Sequence, residues 1–474
     1  MKRYEEVAEL LAAEIRSGQL APGAKLPSIR KVIAQYGVSP ATAFQAYYRL
    51  EERGLVRARE RSGYYVASSG HTHPLEPEPA AHRVPLVSAE VDISELVFSV
   101  LGAVKERDVL PLGSAFPSPL LFPLPRLAKS LASTARFIDP WDTVASLPPG
   151  NTALRQQIAL RYLGMGMPQA PENIIVTNGA LEALNLCLAA VARPGDLIAI
   201  ESPGFYAASQ ALERLNMKAI EIPVHAKDGI DLAALAKALQ QHPVKACWFM
   251  TSFQNPMGTT MEEGKKKELV ELLAQHDIPL IEDDVYGELY FGTRHPLPAK
   301  AFDRKGLVMH CSSFSKTLAP GYRIGWVSPG RFGKEIERLK LMTTLSASVP
   351  AQVAIADYLH TGGYDKHLRK LRHVLEAQLL CMNAALARHF PADVRVSRPS
   401  GGYFVWVEFP EGFDTLALHR QAAAIGISLA PGPIFSPSRQ YRNCLRLNYG
   451  SPWSDAHEQG MAMLSGLISS IMPS

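Results

Sequence analysis

From Asp92 onward, short apolar runs alternate with amphipathic helical stretches, and this alternation restricts the possible folds more than any other feature of the chain. NIIVT, DLIAIESP, KACWFMT, PLIEDD, LVMHCSS and RIGWVS read as buried strands, with stretches such as GALEALNLCLAAVA between them as helices. Strands that are apolar on both faces and separated by helices build a mostly parallel sheet covered on both sides. Beyond about residue 342 the pattern changes: a long helix around HLRKLRHVLEAQLL precedes GGYFVWVEF and CLRLNYG. That part reads as a smaller α+β unit. The expectation for residues 91–474 is therefore an α/β domain, with a large part over about 110–341 and a small part over about 342–474.

The first 68 residues follow a different rule. Val7, Leu10, Leu11 and Ile15 repeat at helical spacing, and Gly18 ends that helix. Ser28 is placed to cap a second helix that closes at Gly37, and Ser39 to cap a third with Ala43, Ala46, Tyr47 and Leu50 as its buried side. LVRARERSGYYVA then reads as two short strands around a basic, glycine-containing turn. Three helices and a hairpin in so short a span make an α+β winged helix-turn-helix. Residues 69–90 are Pro-rich and polar, which denies them helix and sheet and makes them a tether. His71, His73 and His82 lie there without a rigid element to orient them, so no metal site is expected.

Charge separates the two parts as well. Residues 1–70 hold 11 Lys and Arg against 7 Asp and Glu, whereas the remainder holds 38 of each sign, so the whole excess of +4 sits at one end. A localised positive excess favours a polyanion as partner. The five cysteines are scattered without a C-x-x-C pair, which argues against a disulfide framework or a zinc site. The first residues lack the apolar core of a signal peptide, and no stretch has the length and apolarity to span a membrane. A cytoplasmic protein is expected.

The third helix is the one to read DNA. Ser39, Ala41, Thr42, Gln45 and Tyr48 offer short polar and apolar groups to base edges, and Arg30, beside the cap Ser28, would touch backbone phosphate. Arg57, Arg59 and Arg61 flank the wing turn, where Gly63 allows close approach to a groove. On pattern alone, a small helical interaction module with solvated arginines remains open. The wording of the segment goes further. APGAKLPSIRKVIAQYGVSPATAFQAYYRLEERGLV followed by RSGYYV resembles the GntR family of regulators, whose DNA-contacting positions fall here on Arg30, Thr42 and Gly63. One departure stands out: after Val38-Ser39 that family commonly carries Arg, and this chain has Pro40.

In the large domain, polar residues gather at predicted strand ends, where open α/β sheets bind ligands. Lys316 follows LVMHCSS within SSFSKTLAPGYRIGW, and a lysine crowded by hydroxyls and an arginine is suited to Schiff-base chemistry. Ser313, Ser315 and Arg323 are placed to hold a phosphate beside it. Asp283 in PLIEDDVYGEL ends a buried strand and needs a cationic partner. Gly179-Ala180-Leu181 opens a helix whose free N–H groups can cradle phosphate. Taken singly, each has an ordinary structural explanation; their combination and order carry the reading.

In that order, the residues from about Val91 to the C-terminus resemble fold-type I aminotransferases that use pyridoxal 5′-phosphate (PLP). The resemblance implies that Lys316 forms the aldimine with the cofactor and that Asp283 pairs with its pyridine nitrogen. It places Asn255 and Tyr286 on the ring's phenolic oxygen and Phe205 on its face. Gly179, Ala180, Leu181, Ser313, Ser315 and Arg323 surround the phosphate, and Arg446 in CLRLNY clamps a substrate carboxylate. Lys316, Asp283 and Tyr286 are thus the expected catalytic groups. Many such enzymes carry a Tyr, lent by the partner subunit, in the region that here reads VASLPPGN, and this chain has none.

The fusion of both halves through a Pro-rich tether resembles the MocR type of GntR regulators. That implies a PLP-binding transcription regulator that senses PLP or an amino compound at Lys316, with double-stranded operator DNA as partner. It also implies a homodimer, with each DNA-binding unit exchanged head-to-tail. An active aminotransferase with an appended DNA-binding arm is the alternative, and a cofactor-free dimerisation scaffold a third reading.

Overall fold

The structure is a computed structural model that describes residues 3–16, 20, 24–52, 55–59, 63–66, 86–101 and 109–472. Arg57 and Arg59 are described by backbone alone, and Arg61, with most of the tether and its three histidines, lies outside the described residues. The chain divides into two compact units, residues 1–72 and 73–474. Among the described residues no helix is long and apolar enough to cross a membrane.

In the first unit, helices α1 (Arg3–Arg16), α2 (Ile29–Tyr36) and α3 (Pro40–Glu52) precede strands β1 (Val56–Arg59) and β2 (Gly63–Val66). Its core is made by Val7, Leu11, Leu26, Val32, Ala43, Ala46, Tyr47, Leu50, Val56 and Val66. Leu10, which shares the apolar repeat of α1, is instead exposed, because the stripe that meets α3 is centred on Val7, Ala8, Leu11 and Ala12. Ser28 caps α2 by accepting the Lys31 amide at 3.3 Å, and Gly37 ends it with φ +60°, its amide donating to the Ile33 carbonyl. That left-handed turn is what glycine permits cheaply. Ser39 accepts the Thr42 amide at 3.2 Å, so α3 begins with a side-chain cap. Tyr47 donates to the Pro27 carbonyl at 2.5 Å and meets the Tyr64 ring edge-on at 4.9 Å. One buried phenol thereby ties α3 to the turn before α2 and to the hairpin.

The second unit is built on a sheet of strands β3 (Ala89–Glu90), β4 (Ile175–Thr177), β5 (Leu197–Ser202), β6 (Lys218–His225), β7 (Gly229–Ile230), β8 (Val244–Phe249), β9 (Leu280–Asp283), β10 (Val308–Ser313) and β11 (Gly325–Ser328). Their order is β3-β6-β5-β8-β9-β10-β11-β4, with β7 paired to β6. The central run β6-β5-β8-β9-β10 is parallel, and β3, β7 and β11 pair antiparallel with it. Every residue of β5, β9 and β10 is buried, as expected of strands covered on both faces. Because β11 is antiparallel to both β10 and β4, the end of β4 and the beginning of β11 lie at the same edge as the carboxyl ends of the parallel strands.

A second sheet, β12 (Arg395–Val396), β13 (Phe404–Glu408), β14 (Ala430–Pro431) and β15 (Cys444–Asn448), is antiparallel in the order β12-β13-β15-β14. Residues 110–118 run alongside it: the Leu110 amide donates to the Gly426 carbonyl, the Asn448 amide to that of Leu112, and the Ser118 amide to that of Gly450. The stretch expected to open the large part therefore belongs physically to the small sheet. Nothing in its local pattern announces this, since the pairing joins segments roughly 300 residues apart.

Candidate functional site

On the first unit, Arg30, Ser39, Ala41 and Gln45 are exposed and Thr42 is half-buried, while the Ser39 and Thr42 hydroxyls lie 2.9 Å apart. Gly63, at φ +99°, is exposed at the start of β2. Two large side chains share this side of α3: Tyr48 and Phe44, the latter not expected to take part. Its signal is nevertheless present in the sequence, because Phe44 falls one residue off the buried Ala43, Ala46, Tyr47 and Leu50 stripe and one turn from Tyr48.

In the second unit, four loops leave the carboxyl ends of parallel strands and carry Phe205 after β5, Asn255 after β8, Tyr286 after β9 and Lys316 after β10, with Asp283 closing β9 itself. This is the edge where open α/β sheets gather ligands. Asp283 is buried at 1 % exposure, and among the described residues neither of its side-chain oxygens has a partner with hydrogen-bond geometry. Burial, and then the charge of Asp284, push its carboxyl up to about 7, with the Val285 amide and Lys316 offsetting only part of that. A carboxylate so placed calls for a cation opposite it. The amide nitrogen of Asn255 is likewise buried without a partner, while its oxygen accepts from Arg446 Nη1 at 2.9 Å.

Lys316 is partly buried. Its Nζ donates to the Ala115 carbonyl at 2.8 Å and stands 3.6 Å from the centre of the Phe116 ring. Burial, together with the positive charge of Arg446, brings its ammonium down to about 7. Near neutral pH a large fraction of this amine is thus unprotonated and nucleophilic. The Tyr286 ring is fully buried, edge-on to Tyr403 at 5.4 Å and to Phe404 at 5.6 Å, and burial raises its phenol.

The helix Ala180–Val191 begins at Gly179, whose φ of +82° leaves no room for a side chain: a Cβ there would run into the Arg323 guanidinium. Arg323, itself in the left-handed region at φ +53°, donates to Ser315 Oγ and to the Asn178 carbonyl, each at 3.2 Å. Ser313 Oγ takes a long contact from the Ser315 amide at 3.4 Å. Gly179, Ala180, Ser313, Ser315 and Arg323 therefore meet at one turn, where unpaired helix N–H groups and a guanidinium attract an anion. Leu181 contributes its backbone there, while its side chain is exposed.

Arg446, in the middle of β15, is completely buried. Its Nη2 donates to the Gly113 carbonyl at 2.6 Å and the Ser114 carbonyl at 3.1 Å, and its guanidinium lies 4.3 Å from the Phe404 ring centre. Among the described residues Nε has no partner.

Several neighbours of these residues escape sequence reasoning. Gly113, Ser114, Ala115 and Phe116 line the site from about 200 residues before Lys316, where no local pattern marks them. On the opposite side of the β9 end, Trp326 Nε1 donates to the Tyr162 hydroxyl at 3.0 Å, and that hydroxyl lies 2.7 Å from His310 Nδ1. His310 Nε2 is 3.0 Å from Asp284. Indole nitrogen can only donate, so the Tyr162 proton goes to Nδ1 and His310 donates from Nε2 to the Asp284 carboxylate. One oxygen of Asp284 is thereby partnered, whereas neither oxygen of Asp283 is, among the described residues.

Residues 3–66 match the family of bacterial regulatory proteins of the gntR type, and residues 118–457 match aminotransferase class I and II. The chain is 47% identical over 469 residues to YdcR of Escherichia coli (strain K12), an uncharacterized HTH-type transcriptional regulator, covering 99% of both chains. It is 36% identical over 473 residues to YjiR of the same organism, also an uncharacterized HTH-type transcriptional regulator, again over 99% of both. Among solved structures, the multiple substrate aminotransferase from Thermococcus profundus superposes with a TM-score of 0.73 at 30% identity, over 79% of this chain and 95% of that one. The chain belongs to the gntR family of bacterial regulatory proteins, in the form that carries a class I and II aminotransferase domain of fold type I behind its helix-turn-helix.

Proposed function

We propose that this protein is a transcription regulator of the MocR type, which binds double-stranded operator DNA through its first unit and PLP through its second, acting in the cytoplasm. A small amino compound, or PLP itself, is the effector. The observation that carries the cofactor reading is the buried Asp283 carboxylate with both oxygens unpartnered, beside the unpartnered Asn255 amide. A protonated pyridine nitrogen fits the first and a ring phenolic oxygen the second.

In this reading Tyr286 shares that oxygen with Asn255, and Phe205 lies against the ring face. The turn at Gly179, Ala180 and Leu181 holds the phosphate with Ser313, Ser315 and Arg323. When bound, PLP supplies an aldehyde that condenses with primary amines and a ring that withdraws electrons. Lys316 would anchor it through an amine that is about half neutral near pH 7, and once free could take a proton from an effector's Cα. Arg446 receives the effector carboxylate, with Asn255 fixing its orientation. Arg30, Ser39, Ala41, Thr42, Gln45 and Gly63 face the DNA, and Arg57, Arg59 and Arg61 of the wing act with them. A second copy covers the exposed Leu120, Phe137 and Trp141, which are 83%, 85% and 76% exposed. Light scattering of the full chain checks this by reading twice the chain mass, and a single-chain mass would remove the proposal.

The likeness to the Thermococcus profundus aminotransferase favours a second reading, in which the same residues carry complete amino transfer. Absorbance spectra of the full chain with PLP and a panel of amino acids separate the two. We expect a visible band that is lost in Lys316→Ala; its absence in the natural protein would end the cofactor assignment. A band that shifts with an amino acid and persists means a sensor. Bleaching with release of a keto acid means turnover.

Two further outcomes follow. Arg30→Ala weakens operator and random DNA by similar factors and lowers the salt slope of binding by about 1, because a phosphate contact carries no sequence information. Titrations at several salt concentrations measure both. For Asp283, the folded carboxyl titrates at about 7 against an unfolded value of 3.8, so the folded state holds the extra proton. Its contribution therefore lowers stability as pH rises from about 4 to about 7. Asp283→Asn removes that loss: without cofactor, its stability relative to the natural chain is unchanged at the acid end and higher by about 2–4 kcal/mol at about pH 8. Urea unfolding at both pH values checks the sign.

A further inference from the structure

A pocket on the second unit lies apart from the residues assigned to PLP, between the β6–β7 hairpin, the loop after Asn255 and the loop that leads into β13. Lys227 and Arg398 line it, and neither has a hydrogen-bond or ion-pair partner among the described residues. Thr260, Ser397 and Ser400 line it too. Ser397 is buried, and its Oγ accepts the Trp406 amide at 2.9 Å, so the hydroxyl proton is left without a protein acceptor. Thr260 Oγ1 accepts the Phe253 amide at 3.1 Å, which leaves its proton equally free. Thr259 donates to the Ala226 carbonyl at 2.8 Å and fastens the hairpin that carries Lys227 onto this loop.

The lining thus offers an ammonium, a guanidinium and hydroxyl protons, with no carboxylate to answer them. Asp228, next along the hairpin, is exposed and is not part of the lining. Gly258 sets the floor: at φ +73°, a Cβ would lie 2.8 Å from Pro399 Cβ and 3.0 Å from the Phe404 carbonyl, so the two loops are pressed together beneath the space. Two side chains that can only donate, with hydroxyls whose protons are free beside them, converge on one cavity and are satisfied by a small oxyanion.

We infer that this pocket is a second anion site that binds a phosphate group, either inorganic phosphate or a phosphomonoester. The guanidinium of Arg398 and the ammonium of Lys227 neutralise its charge, and the Ser397 and Thr260 hydroxyls donate to its oxygens. The ligand bridges loops from the large sheet and the small sheet. It therefore fastens together the segments that lead to Asn255 on one side and Tyr403 on the other. This site is independent of whether PLP occupies Lys316.

Calorimetric titration of the full chain with inorganic phosphate at fixed ionic strength tests it. The turn at Gly179 also attracts phosphate, so variants separate the two sites. We expect one binding event with a dissociation constant of about 1 mM that survives Arg323→Gln. The same event weakens by about tenfold or more in Lys227→Gln/Arg398→Gln, and by about threefold in Ser397→Ala. Glycerol 3-phosphate run alongside assigns the physiological form: the tighter of the two ligands is the one the pocket is built for. If phosphate and the ester bind only in an Arg323-dependent manner, or bind unchanged in the double variant, the site does not exist.

Discussion

One guanidinium holds the ligand-binding unit together. Arg446 sits in the middle of the small sheet yet hydrogen-bonds to Asn255 on a loop of the large sheet and to the carbonyls of Gly113 and Ser114. A buried cation is tolerable only when its donors are met, and here separate stretches of chain meet most of them. Phe404 and Phe435 flank it with ring faces, which adds attraction without adding acceptors. The edge of the large sheet and the small sheet are therefore fixed relative to each other by the residue assigned to the effector carboxylate. A carboxylate bound at Arg446, as proposed, would find Nε open and the Nη atoms already engaged in contacts that define the unit's shape.

Charge in the adjacent acidic pair follows a division of labour. Asp284 is answered by a hydrogen-bonded chain through His310, Tyr162 and Trp326, whereas Asp283 is left bare one residue earlier. Successive residues at a strand's end point to opposite faces, so one carboxylate accepts a hydrogen bond from the protein and the other is left without a partner among the described residues. Burial first, and then the neighbouring Asp284, favour the protonated form of Asp283.

Much of this architecture is legible in the amino-acid sequence. The caps at Ser28 and Ser39, the left-handed Gly37 and the buried stripe of α3 follow from local chemistry, and each is formed within a few residues. The central strands are equally readable, because being apolar on both faces leaves few alternatives to a covered parallel sheet. What stays hidden depends on distance along the chain. The contact of Ala115 with Lys316 and the pairing of Leu112 with Asn448 join segments hundreds of residues apart, and neither leaves a periodic trace. The doublet at 283–284 shows a subtler limit. Two adjacent aspartates look alike in sequence, and only the position of His310 decides which one is free.

The path of the chain into the second unit sets where it can be cut. After the tether, the polypeptide contributes an edge strand at Ala89–Glu90 and a helix at Ser94–Leu101, and then passes directly through the ligand site at residues 113–116. A cut that spares the second unit therefore has to fall before this stretch, where the composition changes and the chain divides into its two units. A fragment beginning near residue 118, where the match to the aminotransferase family begins, would lack the carbonyls that satisfy Arg446 and the ring that faces Lys316. The ligand site of the second unit thus begins with the first stretch of chain that enters it, about 200 residues before Lys316.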